Sequence, residues 1–141
     1  MAQPDWLKML GFQQELHHFA RGMLPQGQKR TLTASELELL SWLYLQPEES
    51  TPLSFSRQSG RKKEAVSRCL KRLLEKDCVR RDRHPQDERS YILSLTETGR
   101  QELENNYGSI LRPLYELRRR MGNDFDELFR LVEKANRDME T

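Results

Sequence analysis

The chain has little of what several common chemistries require. Its 141 residues include two cysteines and three histidines. Cys69 and Cys78 make no C-x-x-C motif and do not form a secreted disulfide framework. Both fall at or near apolar positions of the pattern, so buried free thiols are expected. His17 and His18 are adjacent and diverge on a helix, and His84 stands apart. No Cys/His spacing matches a zinc site, so no metal is expected. A phosphate loop, a dinucleotide fingerprint and a nucleophile elbow are all missing. The carboxylates are spread as helix-surface charges rather than paired, so neither an enzyme nor a cofactor is expected. Unbroken apolar runs last a few residues, against the ~20 needed to cross a bilayer. No charged-then-apolar leader opens the sequence. Together these absences predict a soluble cytoplasmic protein with no membrane partner.

What is present is sorted charge. Between Arg57 and Arg89 twelve Lys/Arg face six Asp/Glu, whereas the rest of the chain carries twelve basic and sixteen acidic residues. A cationic face suits a phosphate backbone, because each neutralised phosphate releases counterions. A solvated, salt-bridged surface is the alternative use of such charge. The length fits one domain, or a small domain with an oligomerisation appendage.

Apolar spacing gives the organisation. Met9, Phe12, Leu16, Phe19 and Met23 lie on one face of a helix starting near Pro4 and ended by Gly22, Pro25 and Gly27. Thr33 with Glu36 makes a capping box for a helix reaching about Leu45. A loop over Gln46 to Pro52 precedes a short helix from Leu53 to Ser59, closed by Gly60. The next helix, Lys62 to Lys76, turns Val66, Cys69, Leu70 and Leu73 inward and Arg61, Glu64, Arg68, Lys71 and Arg72 outward. Val79 to Arg81 and Tyr91 to Leu95 read as strands around the turn signal His84-Pro85-Gln86-Asp87. Thr96 caps a long helix whose seam runs Leu103, Tyr107, Ile110, Leu114, Leu117, Met121, with Pro113 expected to kink it. After a break at Gly122-Asn123, Phe125, Leu128, Val132, Ala135 and Met139 stripe a final helix. The terminal helices can close on each other as a bundle. Three short helices bury little alone, so pairing with a second copy is the favoured reading.

Helix, short helix, basic helix and basic hairpin make a winged helix-turn-helix. The string Val66-Ser67-Arg68-Cys69-Leu70-Lys71-Arg72-Leu73 resembles the recognition helix of MarR-type regulators. Pro85-Gln86-Asp87-Glu88-Arg89 resembles that family's wing pattern D-P-x-D-x-R. Leu95-Thr96-Glu97-Thr98-Gly99 resembles its L-T-x-x-G, and Leu32-Thr33-Ala34-Ser35-Glu36 its helix start L-T-x-x-Q. The resemblance implies a mainly α fold with a small β-wing: a winged helix-turn-helix flanked by terminal dimerisation helices. The parts are an N-terminal dimerisation helix (1–31), the DNA-binding lobe (32–99) and C-terminal dimerisation helices (100–141). It also implies a homodimeric regulator of transcription on double-stranded DNA, often a repressor released by a small ligand or by thiol oxidation. The family's oxidant sensors carry their thiol in the first helix, where this chain has none. His84 replaces the usual wing Asp, Glu88 a common basic residue, and Asp77 the Gly expected past the recognition helix. Arg61 stands for an apolar residue and Glu64 for a small one. These departures bear on the operator sequence.

Candidate site residues follow. Arg68, in the middle of the outward face, can fork onto guanine O6 and N7, and Arg61 can do the same near the helix start. Glu64 either accepts from cytosine N4 or orients Arg68 one turn away. Lys62, Lys63 and Ser67 suit phosphates, which position without specifying. Arg83 or Arg89 can enter the minor groove, and Asp87 with Arg89 can brace the wing. The dimer interface is expected at Phe12, Leu16, Phe19, Leu114, Leu117, Phe125, Leu128 and Val132. His17, Met23, Trp42 and Tyr44 are candidates to line a pocket for a small-molecule inducer, with core packing as the alternative role. A winged-helix module binding protein, or nucleic acid without sequence preference, is the competing function.

Overall fold

The computed structural model describes residues 4–23, 31–45 and 50–140. Six helices and one hairpin follow in the order α1 (Asp5–Met23), α2 (Ala34–Leu45), α3 (Pro52–Ser59), α4 (Lys63–Glu75), β1 (Val79–Arg83), β2 (Tyr91–Leu95), α5 (Glu97–Met121) and α6 (Asp124–Met139). The expected winged arrangement is therefore present. Pro25, Gly27 and most of the loop expected from Gln46 lie outside the described residues.

Local chemistry explains where the elements start and stop. At α2 the Glu36 amide donates to Thr33 Oγ1 at 3.2 Å, and Glu36 Oε1 accepts the Thr33 amide at 3.0 Å. This is a reciprocal capping box. A second box, which the sequence reading missed, opens α3: the Ser54 amide donates to Thr51 Oγ1, and the Thr51 amide to Ser54 Oγ. Pro52 follows the cap, where its missing N–H is no loss. Gly60 ends α3 at φ 73°, a left-handed conformation that favours glycine. Asp77, just past α4, takes φ 59°, the position where Asp replaces the expected glycine and tolerates it better than most residues.

The chain divides into two compact units, Lys29–Gly108 and Met1–Gln28 with Ser109–Thr141. The first holds α2 to β2 and the first turns of α5. Its core is apolar: Leu39, Leu40 and Leu43 of α2, Phe55 of α3, Val66, Cys69 and Leu73 of α4, then Cys78, Leu93 and Leu103. Both thiols are free and buried, and burial raises each above the ordinary thiol range. The strands pair antiparallel with Val79 opposite Leu95 and Arg83 opposite Tyr91. The Leu93 amide reaches past the hairpin to Ser50 O at 2.7 Å, tying the wing to the chain ahead of α3. Leu103 and Asn106 are buried in this unit. This compact unit runs to Gly108, so the start of α5 contributes to its core.

One junction holds the lobe together. Thr96 Oγ1 donates to Asp77 O at 2.6 Å and accepts from the Gly99 amide at 3.0 Å. The Thr96 amide donates to Cys78 O at 3.1 Å. A Cβ on Gly99 would collide with the Cys78 carbonyl and come within 2.9 Å of Leu95 Cδ1. The spacing of Thr96 and Gly99 thus has a cause: one caps α5 onto the end of α4, and the other lets α5 approach that backbone.

In the second unit, α1 and α6 contain no buried residue. Trp6, Phe12 and Leu16 are 62%, 52% and 67% exposed. Phe12, Leu16 and Phe19 of α1 and Leu128 and Val132 of α6 line a groove of about 490 Å³. α5 runs on as helix through Pro113, and Gly122, at φ 62°, separates it from α6.

Two predictions concern the first unit. Gly99→Ala should lower its unfolding free energy by about 1–3 kcal/mol through overpacking against backbone, read by urea denaturation. Glu36 is fully buried, and Lys76 Nζ lies 2.8 Å from its Oε2. Burial pushes this carboxyl up, but hydrogen bonds from Lys76 and Thr33 outweigh it, and the net shift is downward. A carboxyl lowered by folding stabilises above its unfolded pKa, and that stability is lost as pH falls through the folded value. Glu36→Gln should therefore destabilise the protein by about 1–3 kcal/mol near pH 7 and by much less at about pH 3. Equal losses at both pH values would contradict the ion pair.

Candidate nucleic-acid interface

The outward surface of α4 and the hairpin beside it carry the chain's basic surplus, but folding uses part of that charge. Arg61 is the clearest case. It sits in the turn between α3 and α4, ahead of the helix and not on its outward face as expected. Its Nε and Nη2 donate to Glu38 Oε2 at 2.9 and 2.6 Å, and its carbonyl accepts from Ser56 Oγ at 2.7 Å. Arg61 thus ties the turn of the helix-turn-helix to α2. Arg72 is also displaced from the expected solvated face: it is half-buried, with Nη2 3.4 Å from Ser35 Oγ of α2. Lys76 reaches Glu36, and Arg80 pairs with Asp82 at 3.0 Å. Arg83 meets Glu88 at 3.4 Å across the wing tip. Arg81 stacks over the Tyr91 ring, 5.0 Å from its centroid.

The remaining cations of the segment are Arg57, Lys62, Lys63, Arg68, Lys71 and Arg89. All are exposed, and none pairs with a carboxylate among the described residues. Lys62 occupies the N-cap position of α4, and Lys63, Glu64, Ser67 and Arg68 follow on its exposed side. Glu64 and Arg68, one turn apart, form no ion pair with each other, which leaves the carboxylate and the guanidinium available separately. The buried stripe of α4 is Val66, Cys69, Leu70 and Leu73, as its periodicity predicts.

Wing and helix meet at a groove of about 340 Å³. Lys63, Val66 and Ser67 line it from α4, Pro52 and Leu53 from α3, and Asp87, Arg89, Ser90 and Tyr91 from the wing. The structure therefore brings Lys63, Ser67 and Arg89 together, while Arg83 stays at the far end of β1. The wing tip is braced by backbone rather than by guanidinium: the Arg89 amide donates to Asp87 Oδ1 at 3.0 Å. The Arg89 side chain is left exposed. Tyr91, at the edge of this groove, went unnoticed in the sequence; an aromatic opening a strand was its only signal. Glu38 gave no signal, since it lies 23 residues from Arg61.

The residues considered for an inducer pocket belong to separate units. His17 is exposed on α1 and Met23 half-exposed at its end. Trp42 packs in the lobe core with its ring centroid 5.3 Å from that of Phe55. Tyr44 stands edge-on to Tyr107 at 6.5 Å, above a cavity of about 180 Å³ lined by Leu43, Leu93, Ser94 and Leu95. Of the expected dimer residues, Leu114 and Phe125 line a further groove with Leu111, Tyr115 and Arg118, and Leu117 is half-exposed.

Residues 32–91 match the profile of the MarR family. No curated protein matches the chain. Among solved structures it is similar to a mutant MarR from E. coli complexed with operator DNA, at 19% identity and a TM-score of 0.69 over 94% of this chain and 98% of that one. It is also similar to the S. aureus MepR–DNA complex, at 18% identity and a TM-score of 0.68 over 99% of each chain. A third is PcaV from Streptomyces coelicolor in complex with its natural ligand, at 18% identity and a TM-score of 0.61 over the whole of both chains. At these identities the likeness is one of fold.

Proposed function

We propose that this chain, whose winged lobe matches the MarR family, is a homodimeric transcription regulator that reads double-stranded DNA with α4 in the major groove. One observation carries the reading. After folding has engaged half of the segment's cations internally, five of the six left free (Lys62, Lys63, Arg68, Lys71 and Arg89) lie at the start or on the exposed side of α4 and on the wing beside it, and Arg57 lies on α3. Arg68 reads a base, because a guanidinium projecting from mid-helix can fork onto guanine. Lys62, Lys63 and Ser67 hold phosphates at the start of the helix. Glu64, unpaired with Arg68, accepts from cytosine N4. Arg89 reaches the minor groove from the wing. Arg83 contributes less, since Glu88 offsets its charge, and Arg61 contributes by fixing the turn rather than by touching DNA. The DNA complexes of the MarR mutant and MepR, which share the fold, support this placement.

The dimer reading rests on the second unit. α1 and α6 have no buried residue and leave large apolar side chains in solvent, which monomeric proteins rarely tolerate. A second copy covering them sets two α4 helices against one duplex, so the site is a palindrome and the action is repression by occupancy. Release by a small ligand belongs to the same reading, supported by the fold shared with ligand-bound PcaV.

Three outcomes are expected. Leu128→Glu should shift the protein from dimer to monomer, or unfold it, in sedimentation at micromolar concentration. A monomeric wild-type protein would refute the dimer. Affinity for DNA should fall by roughly 10³ to 10⁵ from about 50 to 200 mM salt if each dimer neutralises some six to ten phosphates. Arg68→Ala should weaken binding by about 1–3 kcal/mol per half-site and relax preference at one base pair, whereas Lys63→Ala should weaken all sequences alike. Both variants are read on a site series with single base changes. If neither matters, the basic face is a solvated surface, and an interaction module becomes the better reading.

A further inference from the structure

The wing turn closes through a side chain whose accepting power depends on one proton. Between β1 and β2 the His84 amide donates to Ser90 O at 3.3 Å, and the Ser90 amide to Asp87 O at 3.1 Å. Pro85 has no N–H, so the first amide after His84 that can donate belongs to Gln86. It donates to His84 Nδ1 at 3.1 Å. A backbone amide only donates, so Nδ1 must hold a free lone pair, and the ring proton of the neutral imidazole sits on Nε2. Asp87 Oδ1 receives the Arg89 amide in the same way. The tip is thus two side-chain-to-backbone brackets in series, and Arg89 follows the second.

We propose that His84 is a positioning residue for the wing, and that its neutral Nδ1 makes the wing's hold on DNA proton-sensitive, weakening with acid. The proposal rests on the DNA-binding reading above. Protonation places a hydrogen on Nδ1 that faces the Gln86 N–H, so an attractive contact becomes two opposed donors. The turn is closed while Nδ1 carries no proton and is released once it carries one. The charged groups beside His84 on the hairpin are Arg83, Asp87, Glu88 and Arg89. Arg83 and Glu88 face each other, and Asp87 is engaged by the Arg89 amide. Among the described residues the recorded acceptor of the Gln86 amide is His84 Nδ1. The imidazolium also adds a positive charge near the phosphates, which acts in the opposite direction. An exposed charge is screened by salt, whereas the turn decides where Arg89 points.

The test uses the full chain and His84→Asn, whose side-chain oxygen accepts at every pH. In the free protein the Gln86 amide proton and the His84 ring nitrogens are followed by NMR from about pH 8 to 5. The two should titrate with one midpoint in the wild type, and the Gln86 amide should stay still in the variant. A Gln86 amide indifferent to His84 protonation overturns the proposal. DNA affinity, measured over the same range at fixed salt, should fall about five-fold per wing in the wild type, the value of one net hydrogen bond, and stay level in His84→Asn. Wild-type affinity that holds or rises in acid, or a variant that follows the wild-type curve, overturns it. Absence of DNA binding at any pH defeats the functional reading itself and is distinguished by a Gln86 titration that still occurs.

Discussion

The backbone crossing at Asp77 and Cys78 is the constraint on which the lobe depends. Here α4 ends, the wing begins and α5 starts, and they are tied together by main-chain groups and the Thr96 hydroxyl. Asp77 accepts from Thr96 Oγ1, and Cys78 accepts from the Thr96 amide while donating to Leu73 O. Gly99 is the residue that lets α5 lie against this crossing. These bonds, at 2.6 to 3.1 Å, join the end of α4, the start of the hairpin and the start of α5 at one place.

Around this crossing the same residue types do two jobs. Arg61, Arg72 and Lys76 each bind α4 or its flanks to α2. Glu36, fully buried, is the anchor of that set, because a lone carboxylate in the core would be strongly unfavourable without Lys76 and the Thr33 amide. The cations left outside are those that form no ion pair among the described residues. Net charge therefore overstates what the surface offers a polyanion, and the pairing geometry decides which side chains remain available.

Features set by neighbours in the chain were legible in the sequence. The Thr33–Glu36 box, the Gly60 stop, the Thr96 cap and the buried stripe of α4 all follow from spacings of a few residues, and the left-handed position at Asp77 follows from the family resemblance. Thr51 with Ser54 is equally local but was missed, because serine rather than glutamate closes the box. Long-range pairs were illegible: Glu38 with Arg61, Ser35 with Arg72 and Glu36 with Lys76 are 23, 37 and 40 residues apart. Periodicity put Arg61 and Arg72 on the outward face of α4. It could not register that Arg61 precedes the first turn, nor that α2 offers Arg72 a partner. Leu103 and Asn106 likewise show no local sign of whose core they join.

The central claim is that α4 and the wing, presented twice by a dimer, read a defined DNA sequence. Selection of bound duplexes from a random pool by the purified full-length chain tests it most directly. The account predicts enrichment of a palindrome whose half-sites lie about one helical turn apart, roughly 10 base pairs centre to centre. A bound pool with no more sequence preference than the starting one would contradict it.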